Sequence, residues 1–207
     1  MKSSRLVPII IIVAIAAFVI YSMQGGSPDN HEATIQQERT EKAAFMKSNS
    51  GSPFLKDNIP FEELSYFPID ETYRVKASLQ SIDHKKVVLL STSDGQEQKY
   101  LEYAYAEFKL NGKDCRLLIL ELMDSGPQRG KLFLAFADET SGAETYGAGR
   151  YLDVKKVPAA TSIILDFNLA YNPYCAYNDS YSCPFPPREN ILKIPVVAGE
   201  KNYHPAQ

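Results

Sequence analysis

The residues best equipped for chemistry lie in two stretches of this 207-residue chain. The first, residues 138–149 (DETSGAETYGAG), places Asp138, Glu139 and Glu144 just ahead of Arg150. A guanidinium beside carboxylates can clamp an anionic ligand while one carboxylate acts as general acid or base. The same residues also suit an ordered turn, because Ser141-Gly142 and Gly147-x-Gly149 fit tight bends. The second stretch is residues 166–190 (DFNLAYNPYCAYNDSYSCPFPPREN). From Asn168 to Asn190 it holds five aromatics, four prolines and two cysteines, without strand or helix period. Loops of that length in a compact domain are generally functional or clamped, and this one is too aromatic for disorder.

Within the second stretch, Asp166 and Asn168 follow the apolar run 162–165 and can meet polar ligand groups or a hard cation. Asn168 and Asn172-Pro173 equally favour turns through side-chain bonds to the backbone. The spacing completes no calcium loop, so no metal is expected. Tyr146 and Tyr171 can wall a pocket, and Tyr174, Tyr177 and Tyr181 can stack on a planar ligand or pack the loop onto a sheet. Cys175 and Cys183, eight residues apart, read as a disulfide outside the cytoplasm; the rivals are a reactive thiol or a metal pair, for which no histidine lies near. Cys115 reads as a core residue. His31, His84 and His204 lie in no motif, which argues against a histidine-dependent nucleophile. There is no GxSxG elbow, Walker loop or dinucleotide fingerprint, and no cofactor is implied.

What positions these residues begins with residues 6–23 (LVPIIIIVAIAAFVIYSM), an uncharged run that would span roughly 27 Å as a helix. With Lys2 and Arg5 before it, the run reads as an uncleaved membrane anchor, with a cleaved signal as its rival. The expected topology is single-pass, with the rest of the chain outside the cytoplasm. Beyond residue 23 the net charge is −5, which argues against nucleic acid as a partner. Residues 24–29 form a hinge, and residues 30–48 a stalk helix in which Glu38 and Lys42 are an i,i+4 pair. Alternation predicts strands over 73–80, 86–92, 131–137, 150–154, 161–167 and 191–197. Asn111-Gly112 predicts a hairpin with Lys109 facing Asp114, Phe108 facing Cys115 and Glu107 facing Arg116. The fold class is mainly β, or α+β counting the N-terminal helix: an antiparallel sandwich or barrel-like single domain. The domains are residues 1–23 (anchor), 24–48 (hinge and stalk) and 49–207 (β-rich domain).

The runs DETSGAETYGAGRYLD, LDFNLAYNPYCAYNDSYSCPFPPREN and VVAGE closely resemble the bacterial and archaeal family called domain of unknown function 1684. The upstream FEELSYFPIDETYRV is similar to that family's aromatic entry segment, and the likeness covers about residues 38–203. It implies a shared fold and a shared site, with no established activity. The leading reading is therefore a membrane-tethered domain that binds a small polar or anionic ligand between the two motif loops. In it Arg150 is the anion clamp, with Asp138, Asn168 and Asn172 as polar contacts and Tyr146 and Tyr171 as walls. The alternatives are a carboxylate-dependent hydrolase with Glu144 or Asp166 as general base, and an envelope scaffold. Whether the chain is an enzyme stays open at this point.

Overall fold

The computed structural model describes residues 28–123 and 128–203. Helix α1 runs over Pro28–Ser48, followed by the single turn α2 (Pro53–Lys56). The strands are β1 (Arg74–Ser81), β2 (Val87–Ser91), β3 (Glu97–Leu110), β4 (Lys113–Leu122), β5 (Leu132–Phe133), β6 (Ala135–Phe136), β7 (Arg150–Tyr151) and β8 (Ser162–Asp166). Short 3-10 turns cover Glu71–Tyr73, Phe167–Leu169, Tyr174–Ala176 and Arg188–Asn190. The chain divides into two compact units within α1, between Gln37 and Glu38. In the first, the described residues are polar helix, with Thr34 Oγ1 donating to the Asn30 carbonyl at 2.7 Å. The sheet and the candidate site belong to the second unit, Glu38–Gln207.

The hairpin follows from its turn. Asn111 and Gly112 both take positive φ, 51° and 75°, the geometry whose twist matches the strands it joins. Lys109 faces Asp114, Phe108 faces Cys115 and Glu107 faces Arg116, as the sequence predicts. Strand β3 is long enough to serve two neighbours along one edge: β2 pairs with Glu97–Leu101, and β1 with Ala104–Glu107. The register against β4 shifts between Glu102 and Ala104, so the bulge falls where β3 changes partner. The sheet order is β5-β4-β3-β1-β8, with β2 beside β3, and β8 joins β1 antiparallel with Arg74 opposite Asp166.

Two expectations are corrected here. The sheet is open, with β5 and β8 at opposite ends, so there is no closed barrel. Its covering layer is a two-stranded β6–β7 pair and extended chain, rather than the second full sheet of a sandwich. The membrane anchor expected over residues 6–23 lies outside the described residues. Among the described residues no helix is long and apolar enough to cross a membrane; α1, with six charged side chains between Glu32 and Lys47, is far too polar. The reading of a single-pass, signal-anchored protein with its domain outside the cytoplasm is withdrawn, and with it the membrane as a partner. What stands is a β-rich fold with an N-terminal α-helix.

The main core sits on one face of the sheet, where Ala77, Ala106, Phe108, Leu117, Ile119 and Leu165 meet Phe136, Leu152, Phe167, Ile194, Val196 and Ala198. The segment 191–197 alternates exposed and buried residues, as its pattern predicts, yet it is no ladder strand. Its contacts run partly through side chains: Val196 N–H donates to Asp138 Oδ1 at 3.1 Å, and Arg150 donates to the Val196 carbonyl. A second cluster gathers Met46 of α1, Phe54 of α2, Leu64 and Tyr177, with Tyr66, Tyr174 and Tyr203 packed against it.

Candidate functional site

Arg150, on β7, is wholly buried. Its Nη2 donates to Asp138 Oδ2 and to the Val196 carbonyl, both at 2.9 Å. Its Nη1 donates to the carbonyls of Ala198 at 2.5 Å and Glu200 at 3.2 Å. A planar fork of donors thus does what an adjacent strand would do, satisfying carbonyls along the extended 196–200 segment. Asp138 completes the bolt, with Oδ1 accepting from Thr140 N–H at 2.9 Å, Thr140 Oγ1 at 2.6 Å and Val196 N–H. Burial pulls the guanidinium pKa down, while the Asp138 charge holds it up. Both side chains are wholly out of solvent, and the Arg150 Nε is left without a hydrogen-bond partner. Asn190, also wholly buried, plays a similar part, exchanging bonds with the Leu118 N–H (2.6 Å) and carbonyl (2.9 Å) and donating to Ala135 at 2.8 Å.

The bolt aims the chain so that Glu200, at its end, enters a polar knot beneath α1. Glu200 is 1% exposed, and its carboxylate takes Lys42 Nζ at 2.6 Å, the Asn172 N–H at 3.2 Å, Asn172 Nδ2 at 3.1 Å and the Tyr177 hydroxyl. Lys42 is the α1 residue read from the sequence as the partner of Glu38; its strongest link instead crosses 158 residues. Burial lowers the Lys42 pKa, and Glu200 opposes that shift. Its ammonium also stands 4.7 Å from the centre of the Tyr171 ring, whose hydroxyl donates to Asp153 Oδ1 at 2.8 Å.

Lys42 lies on the wall of a cavity of about 740 Å³. The C-terminal half of α1 contributes Arg39, Lys42, Phe45 and Met46, and Tyr66, Leu152, Tyr171 and Tyr174 face them. Exposed acids, Glu38, Glu41 and Asp153, stand among its lining. The Arg39 guanidinium lies 4.5 Å over the Tyr66 ring and donates to the Phe67 (3.1 Å) and Asn168 (3.2 Å) carbonyls. Two polar atoms of these lining residues, Arg39 Nε and the Tyr66 hydroxyl oxygen, are buried without a hydrogen-bond partner, as is Asn172 Oδ1. An aromatic-walled cavity with unmatched donors can hold a flat or apolar molecule that carries an acceptor.

The structure scatters the other expected site residues. Asp166 caps the Phe167–Leu169 turn, accepting from Asn168 N–H at 3.1 Å and Asn168 Nδ2 at 2.9 Å. Asn168, wholly buried, exchanges bonds with the Asp70 backbone at 3.0 and 2.8 Å, and so ties the aromatic entry segment to β8. Glu144 is exposed on the 140–145 turn, its carbonyl accepting from Asn202 N–H at 2.9 Å. Neither Glu144 nor Asp166 lines the cavity, so the carboxylate-dependent hydrolase with either as base is set aside. Of the expected ligand contacts, Asn168 and Tyr171 line the cavity. Tyr146 is half-buried and donates to Cys175 Sγ at 3.7 Å; Cys175 and Cys183 are free thiols. Among the described residues no group of three or more His, Cys, Asp or Glu is placed to hold a metal ion. Sequence reasoning missed Lys42, Arg39, Tyr66 and Glu200; the available signal was that Glu200 ends the VVAGE run and Lys42 falls inside the region of family likeness.

A family model described as "Protein of unknown function (DUF1684)" matches residues 60–201. The chain is also similar to the solution NMR structure of an uncharacterized protein from Haloarcula marismortui, with 36% identity, 84% of this chain and 95% of that chain covered, and a TM-score of 0.63. No curated protein matches it.

Proposed function

The chain belongs to the DUF1684 family of proteins of unknown function, and from that premise we propose that it is a small-molecule-binding protein whose site is the cavity roofed by the second half of α1. The ligand class is a small organic monoacid with a flat or apolar body. The observation that carries this reading is the pairing of aromatic walls with buried donors that lack acceptors, Arg39 Nε and the Tyr66 hydroxyl. A carboxylate would accept from them and from Lys42, while Tyr66, Tyr171 and Tyr174 would pack its body. Glu38, Glu41 and Asp153 in the lining repel a second or third negative charge, which disfavours polyphosphates.

The test is thermal shift and calorimetric titration of the full chain with aromatic and aliphatic monocarboxylates, each beside its neutral amide. A ligand at about 100 times its Kd adds roughly 2.7 kcal/mol of stability. The reading expects acids to bind and amides to bind at least about tenfold more weakly, a difference of roughly 1.4 kcal/mol. Tyr174→Ala, which removes a wall and no charge, should weaken binding with the fold retained. Equal affinity for acid and amide, or no binding by any compound, would remove this reading.

A further inference from the structure

The fold brings Cys175 and Cys183 together from the two ends of one loop. The Cys175 N–H donates to Cys183 Sγ at 3.1 Å, so that sulfur already stands beside the Cys175 side chain. Ser93 pins Cys183 on both sides: its Oγ accepts the Cys183 N–H at 3.1 Å, and its own N–H donates to the Cys183 carbonyl at 2.9 Å. Tyr146 reaches Cys175 Sγ through its hydroxyl, at 3.7 Å. We infer that Cys175 and Cys183 form a peroxide-reactive dithiol, in which Cys175 is the attacking thiolate and Cys183 the resolving thiol. The inference is independent of the proposed cavity ligand.

The surroundings divide the two roles. The attacking form is the thiolate, and donors around a sulfur favour it. The Cys183 thiol first, with the Tyr146 hydroxyl assisting, brings the Cys175 thiol down against its burial, and the Tyr146 donor falls on Cys175. The same contact, together with burial, pushes Cys183 up and keeps it a protonated thiol. Cys115 serves as an internal contrast, since burial raises its pKa. Access selects the oxidant. Cys175 and Cys183 are only 6% and 7% exposed, which hinders a bulky disulfide and admits a molecule the size of hydrogen peroxide.

In the first step the Cys175 thiolate attacks one peroxide oxygen. The S–O bond forms, the O–O bond breaks, and the departing hydroxide takes a proton from solvent to become water. In the second step the Cys183 sulfur attacks the sulfenic sulfur of Cys175. The S–S bond forms, the S–O bond breaks, and the hydroxide leaves with the Cys183 proton as a second water. The thiols have lost two electrons and the peroxide has gained them; an external thiol reverses the change. Closing the bond calls for side-chain rotation at Cys175, whose backbone N–H already meets Cys183 Sγ at 3.1 Å.

The test uses the full chain, fully reduced, freed of reductant and exposed to hydrogen peroxide at neutral pH, with intact-mass and peptide analysis. The expected product has lost about 2 Da, with Cys175 and Cys183 joined and Cys115 still open to alkylation, and dithiothreitol restores the starting mass. In Cys183→Ser, a sulfenic acid should persist on Cys175 and be trapped by dimedone. If the folded parent keeps three alkylatable thiols at peroxide levels that oxidise an unfolded control, or if the adduct falls on Cys115, the inference is overturned. The parent experiment decides even if the variant fails to fold.

Discussion

Arg150 Nη2 and Asp138 Oδ2 lie 2.9 Å apart with both side chains wholly out of solvent. The pair bolts the turn of the first motif to the extended 196–200 segment, and its charges are satisfied by each other, by the backbone and by the Thr140 hydroxyl. Removing one member leaves the other as an uncompensated buried charge, at a cost of about 3–5 kcal/mol. Arg150→Met and Asp138→Leu should each lose stability of that order in urea unfolding. The double variant should recover part of the loss, because neither charge is then stranded. A double variant that loses the full sum of the two would show that the charges do not act as a pair.

Gly199 precedes the knot at Glu200 and takes φ +77°. A Cβ there would stand 2.6 Å from the Ala170 carbonyl oxygen and 2.7 Å from that of Phe167. Gly95 shares the backbone conformation, at φ +78°, but a Cβ on it would meet nothing within 4 Å. Gly95→Ala should therefore cost about 1–2 kcal/mol, the left-handed penalty alone. Gly199→Ala adds a clash with two backbone oxygens and should cost clearly more. Thermal unfolding of the two variants checks the order, and equal losses would mean that the close approach carries no weight.

How much of this was legible in the sequence depended on whether the deciding interaction was local. Asn111-Gly112 sets the hairpin because its dihedral demands are local, and the register of the seven paired positions from Leu110 back to Ala104 follows from the turn, up to the bulge. The run 191–197 shows period two because alternate residues are buried. Nothing in that period says whether a strand or an arginine will meet the carbonyls, and here Arg150 does. Arg150 read as an anion clamp because a guanidinium among carboxylates and glycines fits an anion site and a bolt equally well. Lys42 read as the partner of Glu38 because four-residue spacing is visible along a chain, while an acid 158 residues away is not.

Asp57, just after α2, fastens the second motif loop from outside. Its Oδ2 accepts from Asn178 Nδ2 at 2.7 Å and Ser180 Oγ at 2.8 Å. These bonds, that of Asn178 first, hold the exposed carboxyl below its usual pKa. A carboxylate depressed in the folded state contributes stability above its unfolded pKa, near 3.9, and loses it as pH falls through the depressed folded value. Asp57→Asn should remove that part of the acid dependence and leave the parent and variant curves converging at the lowest pH. Parallel acid-denaturation curves would show that the two bonds do not form in solution.

The Lys42–Glu200 pair makes a prediction of the same sign at the alkaline end. Burial lowers the Lys42 pKa from the ordinary 10.5, and Glu200 is the charge that limits the fall. A lysine with its folded pKa below its unfolded one holds its proton more tightly in the unfolded chain. Stability should therefore rise with pH across the window between the depressed folded value and 10.5. Buried tyrosines work against this: burial raises the pKa of Tyr171 and Tyr177, so their contribution is lost as pH climbs above the unfolded tyrosine range. The difference between the parent and Lys42→Met isolates the lysine, since both keep the tyrosines. The parent should gain stability relative to Lys42→Met as pH rises through that window. Glu200→Gln leaves the burial unopposed, so acylation of Lys42, followed by peptide mass analysis, should reach its half-maximal rate at lower pH than in the parent. An unchanged acylation profile would mean that the carboxylate does not hold the ammonium, and the wall of the cavity would then lack its anchor.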